Sequence, residues 1–119
     1  MYRLVLIFSL LASCSFVQNS LPIEGYTIDY GEALFKRQNQ ATFQVMMLLD
    51  EGVSEDDEVK LSTTELKMHE ACHLLNEIAR HEVNGETVSL YFKAQVTKSL
   101  KACDESVQNL EKILNEFDL

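Results

Sequence analysis

Phe92, Val96, Leu100, Cys103, Val107, Leu110, Leu114 and Phe117 recur at alternating steps of four and three. An α-helix repeats every 3.6 residues or so, and this alternation sets all of these side chains on one narrow seam; a strand would need a period of two. A seam this long and this apolar has to be covered by other helices lying along it, crossing near +20°. The chain is therefore committed to helix-on-helix packing before anything else in it is read.

Two further segments supply the covering helices. Leu34, Gln38, Ala41, Val45 and Leu48 are spaced three and four apart, which predicts a helix from about Asp29 to Asp50. Gln38 is the polar member of that row; a buried amide would set helix register, and a place at the edge of the face fits equally well. Glu51-Gly52-Val53 breaks the pattern. Ser54 followed by Asp57 resembles a capping box with Asp in place of Glu or Gln. The acidic run Glu55-Asp56-Asp57-Glu58 suits the positive end of a helix dipole. The second helix then runs to about Val83. Its inward face is read as Leu61, Met68, Cys72, Leu75, Ala79 and Val83, widened by Leu66 and Ile78, and Asn84-Gly85 stops it. Met46-Met47-Leu48-Leu49 reads as core and helix-end packing, and Asp104-Glu105 as solvated surface.

The expected fold is an all-α, antiparallel three-helix bundle in a domain spanning residues 29–119. One Pro and four Gly are too few for an all-β fold, and 119 residues leave room for a single domain.

Ahead of the bundle, Met1-Tyr2-Arg3 gives a short positive start, and Leu4 to Leu11 an uncharged apolar run. The apolar-rich stretch from Leu4 to Val17, before the polar Gln18-Asn19-Ser20, is 14 residues long, while a spanning helix needs about 20. This is the pattern of an export signal. Leu11-Ala12-Ser13-Cys14 resembles the lipobox of bacterial lipoproteins, an aliphatic residue and two small ones before an obligatory Cys. The resemblance covers residues 1–14. It implies a signal peptide at 1–13, cleavage before Cys14 and acylation there, leaving residues 14–28, which hold the only Pro, as a lipidated tether. Several acyl chains hold a protein on a membrane where one would not. In a Gram-negative cell, Ser15 after the lipobox favours the outer membrane, facing the periplasm; the inner membrane and the free periplasm are the alternatives.

Of the three cysteines, lipidation of Cys14 leaves Cys72 and Cys103 as a pair. Both fall on inward faces, at similar distances on either side of the Asn84-Gly85 stop. Two antiparallel helices folded about that stop bring them level, which predicts a disulfide.

His69-Glu70-Ala71-Cys72-His73 matches the HExxH pattern of zinc metalloproteases. There the two histidines share a helix face around zinc and the Glu acts as general base. The rest of that resemblance fails. Where one branch of the family has Gly and His, this chain has Asn76 and Ala79. No motif surrounds Glu105 or Glu111 as a third ligand, and no sheet edge is predicted to hold a substrate. His69 and His73 are read first as surface or boundary residues, with a zinc-binding protein or small zinc hydrolase as the alternative. No cofactor or catalytic residue is assigned otherwise.

The net charge is −9. Such a surface is repelled by phosphate backbones and anionic lipid headgroups, which argues against nucleic acid as a partner. The expectation is a non-enzymatic envelope lipoprotein that meets a protein partner or supports an assembly, homo-oligomers included.

Overall fold

Four helices follow one another: α1 (Ile28–Glu51), α2 (Glu55–Ala71), α3 (His73–Val83) and α4 (Leu90–Asn115). The computed structural model describes residues 28–117, and no strand occurs among them. The signal and tether readings at residues 1–27, Cys14 included, lie outside the described residues.

The described residues are all-helical, as the periodicity predicts, but they form four helices where three were expected. The middle arm is interrupted at Cys72, whose φ of −94° and ψ of 8° lie in the sparsely populated bridge between the helical and extended regions. Hydrogen bonds still cross the break. The Cys72 N–H donates to Met68 O and the Asn76 N–H to Cys72 O, both at 2.9 Å. Side-chain periodicity passes through such a break unchanged, so the sequence pattern does not register it.

Ion pairs and the disulfide give the directions. Tyr30 and Arg37 of α1 meet Asp104 and Glu111 of α4 in the same order along both helices, so α1 and α4 run parallel. Lys60 pairs with Glu116 and Cys72 with Cys103, which sets the α2–α3 arm antiparallel to α4. Helix α4 touches all three of the others.

The core is the rows read from the sequence. Leu34, Gln38, Ala41, Val45 and Leu48 are at most 5% exposed, and Val96 through Leu114 on the α4 seam at most 3%. Phe92 and Phe117 close the seam half-buried. On the middle arm Leu61, Met68, Cys72, Leu75 and Ile78 are buried, while Ala79 is half-buried. Two members assigned to that face are corrected: Leu66 is 60% exposed and Val83 87%. At about 100° per residue Leu66 falls nearly opposite Met68, and Val83 is the last residue of α3.

Local signals end and start the helices. The Gly85 N–H bonds Glu82 O and the Glu86 N–H bonds His81 O, with Gly85 at φ +68°. This is the Schellman arrangement, and its left-handed position is one that glycine occupies without a Cβ penalty. Ser54 Oγ accepts from the Asp57 N–H and Ser89 Oγ from the Phe92 N–H, capping α2 and α4. No helix among the described residues is long and apolar enough to cross a membrane.

Cys72 and Cys103 form the expected disulfide, fully buried, with Cα atoms 4.6 Å apart and a sequence separation of 31. In the chain-entropy account a loop of this length is worth roughly 3.5–4 kcal/mol. The Cys72→Ala, Cys103→Ala double variant is therefore expected to melt at least about 15 °C below the oxidised protein, read by circular dichroism. A loss of only a few degrees would mean that packing of the seam alone carries the fold.

Candidate functional site

The HExxH segment straddles the break in the middle arm. His69, in the last turn of α2, is half-buried and lines a cleft of about 380 Å³ together with Phe35, Gln38, Asn76 and Arg80. His73 opens α3, its side chain 74% exposed and its Nε2 3.8 Å from Glu77 Oε2. Cys72, between the two histidines, commits its sulfur to Cys103. Glu111, one of the acids offered as a third ligand, is held by Arg37, and Glu105 is exposed. His81 bonds Glu86 through Nδ1 and stands edge-on to Phe92. Among the described residues no group of three His, Cys, Asp or Glu is placed to hold a metal ion.

Gln38 is inside. It is 2% exposed, and its Nε2 donates to Asn76 Oδ1 across the α1–α3 contact. Of the two readings open in the sequence, the buried one holds.

A charged cluster that the sequence reading missed joins α1 to α4. The Arg37 guanidinium forks onto Glu111, with Nη2 to Oε1 at 2.6 Å and Nε to Oε2 at 3.3 Å, and its Nη1 reaches Asp104 Oδ1 at 3.1 Å. Asp104 also accepts from the Tyr30 hydroxyl and from Gln108 Nε2. Asp104 is thus no ordinary solvated acid; its side chain is 20% exposed. Burial pushes its carboxyl up. Hydrogen bonds from Tyr30, Gln108 and Arg37, with the guanidinium charge, outweigh that and hold it below its usual 3.8. The Tyr30 hydroxyl is raised, by its hydrogen bond to Asp104 first and by burial second. Only the spacing of Arg37 next to the inward Gln38 hinted at this cluster, since a contact between distant helices leaves no local pattern.

Helix α1 carries a second apolar face. Phe43, Met46 and Met47 are 56%, 61% and 42% exposed, and Leu49 stands at the margin. Of the Met46-to-Leu49 run, only Leu48 is core. This corrects the reading of the run as packing. At about 100° per residue Phe43 points almost directly away from the row led by Leu34 and Ala41. Around it, Phe35, Lys36, Asn39, Gln40 and Phe43 line a surface notch of about 530 Å³. A helix apolar on two opposite sides has one side for its own core and one for something else.

No known protein family, curated protein or solved structure matches the chain.

Two outcomes are expected from these arrangements. Zinc added to the purified protein and dialysed should remain below one equivalent, to the same degree in a His69→Ala, His73→Ala variant, by atomic absorption. Stoichiometric zinc lost in that variant would restore the metal reading. The second concerns pH. Because the Asp104 carboxyl is lowered in the fold, its contribution is complete above the ordinary aspartate range and lost as pH falls through the folded value; Tyr30, raised, contributes below about pH 10 and loses that as pH rises past its folded value. Arg37→Met should cost about 1 kcal/mol at neutral pH, since the cluster is partly solvated. The gap to wild type should narrow in acid as pH falls below 3.8 through the lowered Asp104 value, in thermal melts across pH. A gap that persists in acid would mean that Arg37 acts through packing.

Proposed function

We propose that the protein is a lipid-anchored protein of the bacterial cell envelope whose helical bundle is a protein-interaction module without catalytic activity. The interaction half of this reading is carried by one observation, the apolar outer face of α1 with Phe43 and Met46 more than half exposed. Full burial of such a side chain from water is worth roughly 1.5–3 kcal/mol, and Phe43 and Met46 have more than half of their surface left for a partner to cover. The anchoring half is carried by residues 1–14, where the Leu11-Ala12-Ser13-Cys14 lipobox follows a charged start and a short apolar run. An anchor on Cys14 would leave the acidic bundle free to present α1 to envelope proteins, and Ser15 favours the outer membrane as its place. The buried Cys72–Cys103 bridge suits an oxidising compartment outside the cytoplasm.

The test is expression of the intact chain in a Gram-negative host, followed by detergent-phase partition and intact mass. Wild type should enter the detergent phase carrying acyl mass on Cys14 and lacking residues 1–13, and Cys14→Ser should do neither. An uncleaved or water-soluble wild-type product would remove the anchor.

A further inference from the structure

We propose that the outer face of α1 is a self-association surface whose occupant is α1 of a second copy of this chain, packed antiparallel about a two-fold axis near Phe43. The proposal rests on the reading of the bundle as an interaction module and names its partner. A two-fold interface has to be complementary to itself, so one patch must carry both a recess and what fills it. Helix α1 does. The notch of about 530 Å³ is lined by Glu32, Phe35, Lys36, Asn39, Gln40 and Phe43, with the Phe35 and Phe43 backbones about 12 Å apart along the helix at 1.5 Å per residue. Just beyond it stand Met46 and Met47, 61% and 42% exposed. Methionine is unbranched and flexible, and fills irregular recesses of this kind.

The axis near Phe43 sets the pairing. In the antiparallel arrangement Gln40 meets Met47 and Asn39 meets Met46 on the two flanks of the face, so each copy's methionines enter the other's notch. The charges select the same direction. Lys36 near the start of the face and Asp50 near its end are both exposed. Antiparallel packing sets Lys36 of each copy opposite Asp50 of the other, while Glu32 falls opposite Ser54, past the end of the partner's α1. Parallel packing would instead oppose Lys36 to Lys36 and Asp50 to Asp50, and like charges brought together across an interface are costly. With −9 on each copy, the apolar area has to drive association and the two Lys36–Asp50 pairs fix its direction.

The experiment is sedimentation velocity on the intact chain in density-matched detergent, from low micromolar to near-millimolar concentration, with acyl mass on Cys14 measured on the same sample. Expected is a monomer–dimer equilibrium weakened roughly tenfold by Lys36→Glu and restored by Lys36→Glu, Asp50→Lys, since charge reversal trades an attraction for a repulsion. Met46→Ser should weaken it as well. All three positions are exposed, so unchanged melting temperatures will show that the fold is intact. A protein that is monomeric throughout overturns the proposal. So does a dimer indifferent to these variants, which would lie on another face. A dimer that appears only when residues 15–27 are removed overturns it in favour of that segment as the occupant. A lipidated monomer defeats this proposal alone, and an unlipidated dimer defeats the anchor alone.

Discussion

The seam of α4 presents Val96, Leu100, Cys103, Val107, Leu110 and Leu114 as one unbroken buried row, and every other helix packs against some part of it. Helices α1, α2 and α3 also touch one another, but each meets α4 over more of its surface than it meets either of the others. The middle of the seam is also covalent, because Cys103 is tied to Cys72 at the break between α2 and α3. The bridge therefore fixes how far along α4 the interrupted arm sits, and it does so at the one residue of that arm outside both helices. Apolar packing alone leaves such sliding weakly determined, since a seam of Leu and Val looks similar one heptad on.

Polar contacts settle the remaining helix. Arg37 reads two acids one heptad apart on α4, and its planar fork matches Glu111 in one orientation. One residue further on, Gln38 donates to Asn76 of α3 from a fully buried position. The Oε1 of Gln38 is buried without a hydrogen-bond partner among the described residues. A neighbouring pair of side chains on α1 thus fixes it against α4 and α3, while the apolar row it belongs to supplies most of the burial.

Function reads less directly than fold for a reason visible in two places. The HExxH match was legible, but a motif is chemistry only when the rest of its site is present. Here Cys72 closes a disulfide inside it, and among the described residues no third ligand stands with the two histidines. Met46 and Met47 present the opposite case. Their apolarity was plain and was read as packing, because one helix face cannot be told from another until the core has chosen its side. The outward face of α1 becomes a surface to explain only after Leu34, Ala41, Val45 and Leu48 are seen inside.

What the sequence determined by itself is what depends on period and local chemistry. Steps of three and four fixed the helical class and the inward rows of α1 and α4. Ser54 and Gly85 marked ends where side-chain and left-handed backbone preferences act within a few residues. Two cysteines on inward faces, with their midpoint close to one turn, implied their bridge. The tertiary structure alone decided the interruption at Cys72, the burial of Gln38, the exposure of Leu66 and Val83, and the meeting of Arg37 with Asp104 and Glu111. Each of these depends on where a second helix lies, and contacts between residues as much as 74 apart leave no trace in local spacing.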